Sequence, residues 1–336
     1  MSNAAATPLL GLREVSKRFV SRMDFASRLA ARLGLGAGAQ VVQAVDRVSL
    51  AVNEGEVLGL VGESGCGKST LGRIVARILE PTEGERSWRG KPYAAYEGRE
   101  HRAERLAVQM IFQDPYASLN PRLRVAEVVG EAPVAHGLID RGNQEAYVAE
   151  LLERVGLDGT AARRFPHQFS GGQRSRIGIA RALAVRPRFL VCDEAVAALD
   201  VSIQAQVLNL FIRLREELGL TYLFISHDLG VVRHVSDRVA IMYLGRIVES
   251  APAEEVFAHP NHPYTQALLA EIPTLEPRKR AYQPIRGEIP SPLAPPSGCH
   301  FHPRCPHATD RCRQAAPALR EIAPAHHSAC HLNDMP

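Results

Sequence analysis

Apolar positions recur at strand and helix periods in one order along most of the chain. Leu10 to Val15 reads as a strand at the start of the segment Leu9–Val20, which ends near Phe19. Val45 to Val52 alternates and passes through the turn Asn53-Glu54-Gly55-Glu56 into Val57-Leu58-Gly59-Leu60-Val61, a short buried strand. Beyond a glycine-rich turn, Leu71, Ile74, Val75, Ile78 and Leu79 fall at i, i+3, i+4, i+7 and i+8, which predicts an amphipathic helix. Pro81-Thr82-Glu83-Gly84 closes it, and 80–105 reads as polar and turn-rich. Ala107 to Phe112 is a further apolar strand, and 116–124, with Asn120-Pro121, an irregular connector. From Val125 to about Arg186 the period is helical, with Val148, Leu151, Leu152 and Val155 on one face. Phe189–Glu194 and Tyr222–Ile225 are strands again, and Val239–Tyr243 with Gly245–Val248 reads as a hairpin. Strands alternating with helices predict an α/β fold.

The turn after Val61 is Gly62-Glu63-Ser64-Gly65-Cys66-Gly67-Lys68-Ser69-Thr70 and fits G-x-x-x-x-G-K-S/T. A strand before it and a helix after it supply the setting a phosphate loop needs. Glycines let backbone N–H groups converge on phosphate oxygens, and the helix N-terminus adds partial positive charge. Lys68 then reaches the β- and γ-phosphates and Ser69 is a ligand for Mg²⁺. The motif predicts binding of a nucleoside triphosphate.

Further polar groups sit where the strands end. Asp193-Glu194 closes a buried strand: Asp193 suits Mg²⁺, directly or through water, and Glu194 suits orienting or deprotonating an attacking water. Gln113-Asp114-Pro115 follows the Ala107–Phe112 strand, and Ser226-His227-Asp228 follows the Tyr222 strand. Ligands of open α/β sheets bind outside the carboxyl ends of strands, so His227 is either a γ-phosphate contact or a structural hydrogen-bonder. Ser170 is a natural N-cap in Phe169-Ser170-Gly171-Gly172-Gln173, a second helix start suited to an anion. Phe19 is either an adenine platform or a core or hairpin aromatic.

Composition narrows the class. The 336 residues leave room for one large domain with an appendage or for two modest ones, and 46% hydrophobic and 23% charged residues are ordinary for a soluble globular protein. A net charge of +4 is too small to argue for nucleic acid, and no run of apolar residues is long enough to span a bilayer. No export signal is expected at the N-terminus. Residues 21–40 carry Phe25, Leu29 and Leu33 with Arg22, Arg28 and Arg32 between them. The pattern suits a helix on a membrane or partner surface, or a solvated helix.

Of six cysteines, Cys66 and Cys192 lie inside the nucleotide motifs. Cys299, Cys305, Cys312 and Cys330 follow as C-x5-C-x6-C-x17-C. With no export signal, these predict a metal or cluster site rather than disulfides, with zinc, an iron–sulfur cluster and free thiols all open. His300, His302, His307, His326, His327 and His331 offer alternative ligands.

Taken together, the phosphate loop, Gln113, Ser170-Gly171-Gly172-Gln173, Asp193-Glu194 and His227 resemble the ATP-binding subunit of an ABC transporter over roughly 9–256. The Ser-Gly-Gly-Gln segment between Gln113 and the acidic pair makes the resemblance specific. It implies a P-loop NTPase fold with an ABC-type nucleotide-binding domain at 1–255 and an inserted helical subdomain at about 115–186. It also implies ATP and Mg²⁺ as cofactors. Two such domains pair head to tail in this family, so Ser170, Gly171, Gly172 and Gln173 would meet ATP held by the phosphate loop of a partner. Gln113 would sense Mg²⁺ and the attacking water, and His227 would switch on the γ-phosphate. Asp200 would belong to the loop crossing the dimer, and Phe19 would be the adenine platform. Ala195-Val196-Ala197 replaces the family's usual Pro-Thr-Ser run, and Ser175 stands where glutamine is common.

His259-Pro260-Asn261-His262-Pro263-Tyr264-Thr265-Gln266-Ala267-Leu268 and Tyr116–Arg122 resemble the oligopeptide/dipeptide importer subfamily. Read without the family, 259–268 is a capped turn entering a short helix with no chemistry of its own. The subfamily resemblance implies a C-terminal domain at 256–336, favours a 4Fe–4S cluster over Zn²⁺ on the four cysteines, and implies a second ATPase subunit. It further implies two transmembrane permease subunits, a substrate-binding protein acting indirectly, and a peripheral place on the cytoplasmic face of the inner membrane. The expected function is ATP hydrolysis powering import of peptides or related small solutes. An exporter ATPase, a soluble ABC ATPase of translation or repair, and a non-hydrolysing regulatory subunit are the alternatives. The tail motifs, the single phosphate loop and the presence of Glu194 and His227 argue against them in turn.

Overall fold

A computed structural model describes residues 7–20, 40–114, 118–271 and 287–334. The expected surface helix within 21–40 falls almost entirely outside them, as do Tyr116 and Ala117 of the connector. The chain opens with β1 (Leu10–Val20), β2 (Val41–Val52), β3 (Val57–Val61) and α1 (Lys68–Val75). Then come β4 (Glu83–Trp88), β5 (Lys91–Pro92), α2 (Gly98–Ala107) and β6 (Val108–Ile111). Three helices follow before the next strand: α3 (Val125–Ala135), α4 (Gln144–Arg154) and α5 (Gly171–Leu183). The chain continues through β7 (Phe189–Asp193), α6 (Val201–Leu218), β8 (Thr221–Ser226), α7 (Leu229–Val235), β9 (Arg238–Tyr243) and β10 (Arg246–Pro252). It closes with α8 (Ala253–Ala258), α9 (Pro263–Ala270), α10 (Asp310–Gln314), β11 (Arg320–Ala323) and β12 (His326–Ser328).

Two sheets result. An antiparallel sheet runs β2-β1-β4-β5, and a larger one runs β11-β12-β10-β9-β3-β8-β7-β6. In the larger sheet β9, β3, β8, β7 and β6 are parallel neighbours. Their near-continuous apolar runs follow from burial on both faces. Val57, Val61, Leu190, Cys192, Tyr222, Phe224 and Ile241 join the core beneath α3 to α6. The alternate residues Leu58, Leu60, Phe189, Val191, Leu223, Ile225 and Met242 join a second core with α1 and the antiparallel sheet. The strand period of two thus divides one apolar run between two cores.

Several local expectations shift. The alternation in β2 is broken at Arg47, whose φ of 47° makes a bulge, so Val45 and Val48 both face inward. Helix α1 stops at Val75 because Arg77 adopts a left-handed φ of 61°, and the N–H groups of Ile78 and Leu79 both turn back to the Arg73 carbonyl. Ile78 therefore leaves the core face and is half exposed. The segment 80–105, read as turns, holds β4, β5 and most of α2. Its strand Glu83–Trp88 is mostly polar and buries only Arg86 and Trp88, so no apolar alternation marks it. Residues beyond 256 add β12 and β11 to the free edge of β10, with Glu249 opposite Ser328.

Candidate functional site

β3 delivers the chain to the carboxyl end of the parallel sheet, and the glycine loop turns it into α1. Gly67, the N-cap, has φ of 109°, and a Cβ there would lie 2.1 Å from the Ala44 carbonyl oxygen. A Cβ on Gly62 would meet the Met242 carbonyl oxygen at the same distance. Only glycine fits at either place. Ser64 and Gly65 form the exposed tip, while Cys66 is buried and its thiol pushed up in pKa by that burial, so it packs rather than reacts. The Lys68 ammonium is buried and donates to the carbonyls of Gly62 at 2.6 Å and Glu63 at 2.9 Å. Thr70 follows on the first turn of α1, partly exposed.

Ser69 donates to Asp193 Oδ1 at 2.8 Å, across 124 residues of sequence. Asp193 is almost fully buried, and burial raises its carboxyl pKa while the Ser69 hydroxyl opposes that shift. The next residue, Glu194, is pinned by its N–H to the Ile225 carbonyl and adopts φ of 49°. A non-glycine residue held in this region is a local strain that the sheet must support. Its carboxylate accepts from Gln113 Nε2 at 2.6 Å and lies 3.3 Å from His227 Nδ1. Gln113, Glu194 and His227, from the ends of three neighbouring strands, therefore form one cluster beside the Ser69–Asp193 pair. A water placed against Glu194 would face a base held on two sides.

Ser170, Gly171, Gly172 and Gln173 form a cluster of their own. Ser170 caps α5 through the Gln173 N–H at 3.3 Å, and the Gln173 side chain returns to the Ser170 N–H at 3.0 Å. Gly172 sits against Ile203 of α6, where a Cβ would come within 2.5 Å of that side chain. Asp200 is the exposed N-cap of α6, and its side chain makes no capping bond. Phe19 lies near the end of β1 and is 41% exposed, with the Lys17 ammonium 5.4 Å from its ring centre. That exposure argues against a core place, and Phe19 pairs with Val42 in the antiparallel β1–β2 pair.

At the four cysteines the described residues give the metal expectation no support. Among the described residues no group of three or more His, Cys, Asp or Glu side chains is arranged to hold a metal ion. The thiols do lie within electrostatic reach of one another. Burial pushes Cys299 up to about 11, and Cys305, Cys312 and Cys330 add to the shift. Four of the six histidines offered as alternative ligands have other partners. His300 faces the Leu244 carbonyl, His302 the Cys299 carbonyl, His326 the Glu249 carboxylate and His331 both Asp334 and the Ala315 carbonyl. Sequence spacing shows four sulfurs but not whether neighbouring side chains have other partners.

Two residues at the loop escaped the sequence reading. Tyr264 and Arg304 both bond Glu63, the second residue of the phosphate loop. Tyr264 stood inside the 259–268 motif, which carried no chemistry of its own by spacing. Arg304 lies 241 positions from its partner, with no local signal.

Comparison with known proteins agrees with this geometry. Residues 45–197 match the family profile described as ABC transporter, and 248–312 match that of the oligopeptide/dipeptide transporter C-terminal region. The oligopeptide transport ATP-binding protein AppF of Bacillus subtilis is 48% identical over 99% of both chains. A probable peptide ABC transporter ATP-binding protein of Sinorhizobium fredii is 50% identical over 87% of this chain and 83% of its own. Among solved structures, cbiO1 from Clostridium perfringens, part of an ABC transporter complex, superposes with a TM-score of 0.61 at 26% identity, covering 75% of this chain and 92% of that one. The ATP-binding cassette MJ0796, dimeric and bound to ADP and Pi, gives 0.60 at 28% identity, covering 73% and 98%. With the phosphate loop, the strand-end carboxylates and full-length relatives in agreement, the chain belongs to the ATP-binding proteins of the ABC transporters, in the oligopeptide/dipeptide branch.

Proposed function

We propose that this chain is the ATP-hydrolysing subunit of a peptide importer, with Lys68, Gln113, Glu194 and His227 as its catalytic groups. The observation that carries the reading is the convergence of Gln113 and His227 on Glu194, beside Ser69 and Asp193 at the carboxyl ends of the strands. Ser69, Asp193 and Gln113 would hold Mg²⁺, whose charge offsets that developing on the phosphates when both are bound. The Lys68 ammonium leaves the carbonyls of Gly62 and Glu63 to pair with phosphate oxygen. Backbone N–H groups at the glycine turn and the start of α1 supply the cradle, and the exposed Phe19 ring supplies a face for adenine. Glu194 takes the proton of the attacking water, and Gln113 and His227 keep its carboxylate aimed.

Helices α3 to α5, inserted between β6 and β7, serve as the helical subdomain. Ser170 to Gln173 at the head of α5, with Asp200, form the half-site offered to a second ATPase subunit. The connector 116–124 faces the permease pair. No described helix is long and apolar enough to cross a membrane, so attachment through permease subunits is the arrangement proposed. For the tail, Cys299, Cys305, Cys312 and Cys330 share one segment, and a 4Fe–4S cluster is the group proposed there, with Zn²⁺ the alternative. Such a cluster would take Cys299, Cys305, Cys312 and Cys330 as thiolates.

ATP turnover by the purified chain, alone and with its co-purified permease, tests the function. Permease-dependent hydrolysis that Glu194→Gln abolishes while ATP binding persists is the expected result. Brisk hydrolysis without any permease would instead make it a soluble ABC ATPase.

A further inference from the structure

Glu63 is held from the C-terminal part of the chain at two points. Arg304 Nη1 and Nη2 meet its two carboxylate oxygens at 2.7 and 3.0 Å, a forked pair whose side chains are 5% and 21% exposed. The Glu63 N–H donates to the Tyr264 hydroxyl at 2.9 Å. The Glu63 carbonyl is one of the two that hold the Lys68 ammonium. Every polar group of this loop residue is thus engaged: two sets by residues far along the chain, one by Lys68 itself. Tyr264 is seated against Tyr243 and Phe301, with ring centres 4.7 and 5.4 Å away, and Arg304 Nη1 lies 3.5 Å from the Tyr243 hydroxyl. Arg304 is presented by the tight turn Cys299–Cys305, closed by bonds from His302 N–H to the Cys299 carbonyl and from Arg304 N–H to the Phe301 carbonyl.

From this arrangement we infer that Arg304 and Tyr264 are positioning residues for the phosphate loop, so that ATP affinity depends on the fold of the cysteine-bearing segment. The inference rests on the reading that the loop binds ATP. A forked, largely desolvated guanidinium–carboxylate pair fixes orientation as well as distance. Fixing Glu63 in advance removes an ordering cost that ATP binding would otherwise meet. A change in the turn that carries Cys299 and Cys305 displaces Arg304 and loosens the loop on the opposite side of the contact. The segment then acts on the grip for nucleotide while leaving the Gln113–Glu194–His227 cluster untouched.

The test is titration of the full-length chain with a fluorescent ATP analogue and Mg²⁺, and ATP turnover with the permease. Arg304→Gln is expected to weaken nucleotide binding about tenfold, with turnover at saturating ATP within about twofold of wild type. Arg304→Lys should recover part of the affinity, and Tyr264→Phe should weaken binding on its own. Glu63→Gln should match Arg304→Gln, and the double variant should be no worse than either, because the pair acts as one unit. Cys305→Ser should weaken binding in the Arg304 protein and add nothing to Arg304→Gln. Unchanged affinity in folded Arg304→Gln protein overturns the inference, as do additive effects of Glu63→Gln or Cys305→Ser with it. A loss confined to melting temperature, with affinity intact, also overturns it by reducing the pair to a structural clamp. A wild-type chain that binds no nucleotide refutes the ATP reading itself, and this inference with it.

Discussion

Glu194 shows how much one position in the chain carries. It is half of an acidic dipeptide at the end of a strand, yet its aim depends on a left-handed backbone, an N–H bond to β8 and two side-chain neighbours. A carboxylate without those neighbours would be a hydrated surface acid. His227 is more than half exposed and touches Glu194 alone among the described catalytic candidates, so removing it disturbs little packing. His227→Ala is expected to lower the turnover number about 100-fold while leaving ATP affinity within a few-fold of wild type, measured by steady-state hydrolysis and nucleotide titration. Comparable loss of affinity would instead make His227 a binding residue.

At the scale of elements, the C-terminal tie onto β10 rests on a buried polar core. Glu249 is fully buried and accepts the N–H groups of Asn261 and His262 and the His326 ring N–H, each at 2.8 Å. His262 in turn caps α9 by accepting the Tyr264 N–H at 3.1 Å. Burial lowers the His262 pKa from 6.5 to about 4, so the folded chain keeps it neutral. The unfolded chain takes up a proton near pH 6.5, whereas the folded chain resists it until about pH 4. This contribution to stability is complete above pH 6.5 and is lost as pH falls toward 4, about 3 kcal/mol over that interval. His262→Asn keeps a capping acceptor and removes the titration. Its urea midpoint should therefore fall less between pH 7 and 4.5 than the wild-type midpoint, and equal falls would refute the assignment.

For the whole molecule, we propose that the phosphate loop and the Ser170–Gln173 cluster each supply half of a nucleotide site. The proposed remedy is a second ATPase subunit placing its own cluster over the loop. ATP bound without hydrolysis should favour that pairing, since a ligand shared by two chains stabilises their complex by mass action. Glu194→Gln protein mixed with its partner ATPase and ATP should elute as a dimer in size-exclusion chromatography, and Ser170→Arg should restore monomers. A nucleotide-independent elution position would count against the head-to-tail arrangement.

Phosphate-loop chemistry was legible along the chain because its parts are local: a strand, a turn only glycine fits, and a helix start within a dozen residues. The parallel strands were legible for a similar reason, since burial on both faces leaves unbroken apolar runs. The Glu83–Trp88 strand was not, because its burial falls on an arginine and one tryptophan rather than on an alternating pattern. Nor was the early end of α1 at Val75, where the backbone of Arg77 overrode a helical period that continued past it. Which side chains meet across 81 or 124 positions was decided by sheet order. Strand pairing sets those neighbours, and no period of two or 3.6 residues records which strand lies beside which.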